Sequence, residues 1–80
     1  PQIIENVPLT SVEGFDEIIN SKDVLDVIKS SKSALMGKGR INIRTSGTET
    51  LARIMIEGES EEKIKNLVKD IKNSILKKQN

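Results

Sequence analysis

The sequence predicts an α+β domain in which an antiparallel-rich sheet carries two helices on one face, in the order β-α-β-β-α. Three observations lead there. Arg40 to Thr45 and Leu51 to Glu57 alternate apolar and polar residues with a period of two, the mark of strands buried on one side. Residues 22–36 and the stretch after Ser60 instead repeat their apolar residues at helical spacing. The length of 80 residues leaves room for one core, since a chain of this size buries only about 60–65% of the surface its unfolded form exposes. Two amphipathic helices then need one common apolar surface, and a sheet with a single apolar face supplies it.

The elements follow in chain order. Pro1 to Leu9 carries Ile3, Ile4, Val7 and Leu9 and reads as a strand ending near Pro8. Proline lacks the ladder donor, which places this strand at an edge. Thr10 to Asn20, with Gly14 and mixed charge around Phe15, Ile18 and Ile19, reads as a connector with one helical turn. From Ser21 the pattern is helical, with Val24, Leu25, Val27, Ile28 and Leu35 on one stripe and Asp23, Asp26, Lys29 and Lys32 elsewhere. Ser21 is expected as the N-cap, accepting from an orphan backbone N–H of the first turn. The Gly37-Lys38-Gly39 run ends this helix, because glycine reaches the left-handed conformation without a Cβ clash.

In the next strand Ile41, Ile43 and Thr45 share one face and Arg40, Asn42 and Arg44 the other. In the one after it, Ala52, Ile54 and Ile56 lie opposite Leu51, Arg53, Met55 and Glu57. Ser46-Gly47-Thr48-Glu49-Thr50 joins the two. Ser60 caps the last helix, with Glu61 and Glu62 at the positive end of its dipole and Ile64, Leu67, Val68, Ile71 and Ile75 as its stripe. Lys77-Lys78-Gln79-Asn80 is expected to fray. The core is expected to bring Ile41, Ile43, Ile54 and Ile56 under Val24, Ile28, Leu67 and Ile71, leaving the opposite sheet face polar.

Composition narrows the chemistry. With no Cys, no His, no Trp, no Tyr and one Phe, the chain cannot build disulfides, thiolate or imidazole metal sites, a Cys nucleophile or a Ser-His triad. At 31% charged and 35% hydrophobic it has an ordinary aliphatic core. Apolar runs do not exceed three residues, too short for a membrane span or a secretory signal, so a cytoplasmic location without membrane partners is expected. The first residue is Pro1 rather than Met, and excision from a longer polypeptide is the expectation.

The net charge of +1 is unevenly spread: −3 over residues 1–36, +1 over 37–60 and +3 over 61–80. A basic tail invites a nucleic-acid or membrane reading. Acids are mixed among these lysines and no aromatic residue is available to stack a base, so a solvated helix face ending in Lys fits better, with no nucleic-acid partner.

If the isoleucines face the helices, Arg44 and Arg53 lie together on the uncovered face, flanking the loop that contains Ser46, Gly47 and Thr48. Two readings fit. A tetrahedral oxyanion is matched by guanidinium forks, hydroxyl donors and inward-turned backbone N–H groups. Ser-Gly-Thr is equally common turn chemistry, and exposed arginines on a sheet are usually solubilising. The loop has no Walker-type glycine spacing and does not precede a helix, so it is neither a P-loop nor a dinucleotide fingerprint. Glu49 is its only carboxylate and is not an acid/base pair. It is expected to point away from a bound anion, toward Arg40 or Arg53 or toward a sugar amino or hydroxyl group.

Gly39-Arg40-Ile41-Asn42-Ile43-Arg44-Thr45-Ser46-Gly47-Thr48-Glu49-Thr50-Leu51-Ala52-Arg53-Ile54-Met55-Ile56-Glu57-Gly58 resembles the last domain of the α-D-phosphohexomutases, in their bacterial phosphoglucosamine mutase branch. That family's pattern is Gly-Arg, an aliphatic strand, Arg-x-Ser-Gly-Thr-Glu-Pro, two residues, Arg, an aliphatic residue, Met, an aliphatic residue, Glu-Gly. The Pro1-Gln2 opening before an Asn-containing strand and the Ser60-Glu61-Glu62 helix start are also similar, whereas Thr10 to Lys38 is less diagnostic. Thr50 departs from the pattern, standing where the family usually has Pro, and without that fixed φ the loop is expected to be more mobile.

The resemblance implies a TATA-box-binding-protein-like fold and a phosphate-binding role for Arg44, Ser46, Gly47, Thr48 and Arg53. It also implies that the phosphorylated serine, the Asp-rich Mg²⁺ loop and the sugar-selecting loop lie in three earlier domains, with no counterpart here. On this basis the chain holds no catalytic residue or cofactor of its own, and its partners are a phosphosugar and those three domains. The alternatives are a sister mutase acting on phosphomannose or phosphoglucose, or a freestanding module binding phosphate or nucleic-acid backbone through Arg44, Arg53 and the lysine-rich helix.

Overall fold

The structure, a computed structural model, describes residues 1–79. Its elements are β1 (Gln2–Pro8), α1 (Phe15–Ile19), α2 (Lys22–Ala34), β2 (Arg40–Thr45), β3 (Leu51–Glu57) and α3 (Glu61–Gln79). The strands form one antiparallel sheet in the order β1-β3-β2. The α+β class and antiparallel sheet are as predicted, and β1 is an edge strand, as Pro8 requires.

β3 is central because its alternation is the most complete. Ala52, Ile54 and Ile56 are fully buried, and Val7 of β1 reaches the same layer opposite Ala52. α3 lies across β1 and β3 and buries Ile64, Val68, Ile71 and Ile75. Ser60 caps it as expected, its Oγ accepting from the Lys63 N–H at 3.2 Å. α2 packs along α3 and contributes Val24. The anticipated core thus holds at Ile54, Ile56, Val24 and Ile71, while Ile41, Ile43, Ile28 and Leu67 are only partly buried around it. β2 is the other outer strand, which explains why its isoleucines stay half-covered.

The helical turn expected in the connector is present and counts as an element of its own. Phe15–Ile19 is a distinct short helix that plugs Phe15 into the core, giving β-α-α-β-β-α. Its presence redirects Ser21. That residue has extended backbone at the start of α2, but its hydroxyl donates to the Ile18 carbonyl at 2.7 Å and makes no capping bond. The Ile18 carbonyl thus accepts from both the backbone N–H, at 3.1 Å, and the hydroxyl of Ser21, which closes the end of α1.

α2 ends at Ala34, and Met36 (φ 55°) and Gly37 (φ 74°) carry the left-handed reversal. Gly39 has a different task from the predicted helix stop. A Cβ there would run into the Glu57 backbone carbonyl, so Gly39 is what lets the start of β2 close against the end of β3. At the far end of the chain α3 continues through Lys77 and Lys78 to Gln79, where fraying was expected. The reason is the Gln79 carboxamide, which is bonded to the backbone at Pro8 and Thr10. The expectation for Asn80 lies outside the described residues. No helix among the described residues is long and apolar enough to cross a membrane.

Candidate functional site

Directly paired residues in a sheet share a face. Since Ala52, Ile54 and Ile56 face the helices, the pairing puts three rows on the uncovered side: Gln2-Glu57-Arg40, Ile4-Met55-Asn42 and Asn6-Arg53-Arg44. The predicted juxtaposition of Arg44 and Arg53 is therefore as close as a sheet permits. They are cross-strand partners, and both are exposed.

Neither forms an ion pair among the described residues, in contrast to Arg40 two rows away. Arg40 Nη2 donates to Glu57 Oε1 at 2.9 Å, and Gln2 Nε2 donates to the same oxygen at 3.0 Å. The Arg40 hydrogen bond and charge, helped by Gln2, hold the Glu57 carboxyl below the usual carboxylate range. One row of the open face is thus internally neutralised, and the row at the loop end carries two uncompensated positive charges. Like charges set directly opposite each other destabilise a strand pair.

The loop beside them is organised by its own side chain. Ser46 Oγ accepts from the backbone N–H groups of Thr48 and Glu49, each at 3.3 Å. Those bonds are long, and an anionic oxygen approaching the same two amides would form stronger ones. The stem is firmer: Ser46 N–H donates to Leu51 O and Leu51 N–H to Glu49 O, both at 2.9 Å, and Leu9 N–H donates to Thr50 O at 3.0 Å. Gly47 has no positive φ, and a Cβ built on it would meet nothing within 4 Å. The loop's own packing does not demand glycine there, so its bare backbone is available to whatever approaches from solvent.

Glu49 is exposed and unpaired among the described residues. The expected contact with Arg40 is not made, because Glu57 occupies that guanidinium, and Arg53 is not engaged either. No group of three or more Asp or Glu side chains among the described residues could hold a metal ion. The grooves between the helices, such as the one lined by Asp26, Val27, Ser31 and Asp70, lie on the opposite side of the sheet from the arginine row.

Arg44, Arg53, Ser46, Gly47 and Thr48 thus gather at one end of the open face. The sequence-level reading omitted Asn6, the third member of that row. No signal within β1 could have supplied it, because Asn6 meets Arg53 only through the long-range register of β1 on β3.

The family model for the phosphoglucomutase/phosphomannomutase C-terminal domain matches residues 5–74. The chain belongs to this family. Among curated proteins it is similar to a phosphoglucosamine mutase of Idiomarina loihiensis, 40% identical over 75 residues, and to one of Clostridium acetobutylicum, 38% identical over 80. A phosphoglucosamine mutase of Caldicellulosiruptor saccharolyticus is 48% identical over 67 residues. These alignments take in 94%, 100% and 81% of this chain but only 16%, 18% and 14% of the relatives. The chain therefore spans less than a fifth of the length of these relatives.

Proposed function

We propose that this domain grips the phosphate that is not being transferred, within a phosphoglucosamine mutase that interconverts glucosamine 6-phosphate and glucosamine 1-phosphate. The observation that carries this reading is the direct pairing of Arg44 with Arg53 on an open sheet face, with no carboxylate between them. A pairing that costs stability when empty becomes favourable when a dianion sits over both guanidiniums. Ser46 and Thr48 add hydroxyl donors, and the exposed backbone around Gly47 allows close approach.

The role is positioning. Arginine stays charged at any physiological pH and shuttles no proton, so the site binds and orients without entering the chemistry. Glu49, exposed and unpaired among the described residues, is suited to accept from a sugar hydroxyl or amino group. In this reading the phosphoserine and the Mg²⁺ belong to other segments of a cytoplasmic enzyme, and this chain alone does not turn over substrate.

Titrating inorganic phosphate into the isotopically labelled chain tests the reading. The amides of Ser46, Gly47 and Thr48 are expected to shift first, and Arg44→Ala is expected to abolish that response while the rest of the spectrum stays folded. Shifts spread evenly along the lysines of α3 would instead identify non-specific anion binding and sink the proposal.

A further inference from the structure

The last residue of α3 is tied to the stem of the loop. Gln79 Oε1 accepts from the Thr10 backbone N–H at 2.6 Å, and its Nε2 donates to the Pro8 carbonyl at 3.0 Å. One carboxamide thereby serves both polar groups that flank Leu9, as a neighbouring strand would. β1 ends at this point, so no strand residue is available to do the same. Leu9 is itself buried, and its N–H donates to Thr50 O at 3.0 Å. Thr50 closes the Ser46 to Thr50 segment and, not being proline, does not fix φ there. The stem therefore depends on hydrogen bonds from its neighbours, and the Leu9 bond is held in place by Gln79.

We propose that Gln79 is a positioning residue for the anion loop, acting through Pro8–Thr10 and the Leu9–Thr50 bond to hold the loop in register with Arg44 and Arg53. The functional half of this inference rests on the phosphate reading above. Both functions of the carboxamide are required. Gln79→Glu keeps the acceptor for Thr10 but loses the donor to Pro8, and Gln79→Asn keeps the amide but shortens its reach.

Amide hydrogen exchange and phosphate titration on the same 80-residue chain test it. In Gln79→Ala and Gln79→Asn the Leu9 and Thr10 amides are expected to exchange about fivefold to tenfold faster, as befits the loss of a local hydrogen-bonded closure. The phosphate concentration needed to half-shift Ser46 to Thr48 is expected to rise several-fold, with Gln79→Glu in between. Ile64→Val, which trims core packing at the opposite end of α3, serves as a control for stability: it is expected to lower the melting temperature without a matching selective rise in that midpoint.

Unchanged exchange at Leu9 and Thr10 in Gln79→Ala would overturn the clamp. Faster exchange with an unchanged phosphate midpoint would overturn its link to the loop. If the native chain shows no phosphate response at Ser46 to Thr48, the anion reading fails together with the functional half of this inference. Exchange at Leu9 and Thr10 then still decides whether Gln79 holds the stem.

Discussion

Arg40, Arg44 and Arg53 share one face of one sheet, yet they differ in what opposes them. Arg40 faces Glu57 and forms an ion pair, whereas Arg44 faces Arg53. Substituting Arg44 by Ala relieves a like-charge contact on the solvent side, so its effect on unfolding free energy should stay within about 0.5 kcal/mol and lean toward stabilisation. The opposite holds for the Arg40 pair. Its partner Glu57 has a carboxyl pKa lowered in the folded state, chiefly by the Arg40 hydrogen bond. A depressed folded-state pKa means that the stabilisation is present above the unfolded value and is lost as pH falls through the folded one. A carboxyl-detected titration is expected to place the Glu57 midpoint below the ordinary glutamate value, and Arg40→Gln should move it back up. A Glu57 midpoint that ignores Arg40 would show that the pair does not persist in solution.

The two glycines that bracket β2 and β3 are where element packing is least forgiving. A Cβ on Gly39 would overlap the Glu57 carbonyl, and one on Gly58 would come within 2.7 Å of Ile64 Cγ2 and 3.1 Å of Leu35 Cδ2. Backbone cannot yield as a side chain can, so Gly39→Ala should separate the paired ends of β2 and β3. A loss of about 2–3 kcal/mol is expected, with about 1–3 for Gly58→Ala, where Ile64 and Leu35 must shift. Gly47→Ala, with open space around it, should fall within about 0.5 kcal/mol. Denaturant midpoints of the three variants check this order, and equal losses would contradict it. The same glycines show what the sequence made legible. Strand alternation and helix periodicity located β2, β3, α2 and α3 from short-range pattern alone. Gly39 looked like a helix stop because its real constraint, the backbone of Glu57, lies 18 positions further along the chain. Phe15–Ile19 is too short to show a period, Ser21 takes an acceptor three residues back in the turn that ends it, and Gln79 takes partners that only the packed fold brings within reach. The arginine pair was readable because period two and one buried face suffice to align neighbouring strands, whereas Asn6 required the register of β1.

At the scale of the molecule, helices cover one side of the sheet and nothing among the described residues covers the other. Ile4 is 56% exposed on that face, and the arginine row is open to water. An exposed guanidinium pair competes with solvent and counterions for its anion, and each charge–charge contact is worth only about 0–1 kcal/mol in that setting. Two arginines, two hydroxyls and a few amides on such a surface support a dissociation constant of roughly a millimolar or weaker, about −4 kcal/mol. Tight binding needs water to be excluded, and the open sheet face does not exclude it. The binding should also be strongly screened. Raising ionic strength from about 10 mM to about 150 mM shortens the Debye length from about 30 Å to about 8 Å, and the phosphate midpoint should rise several-fold over that range. Sub-micromolar binding that is insensitive to salt would mean that the 80 residues already form an enclosed site, and the reading of the arginine row as an open, solvent-exposed grip would have to be given up.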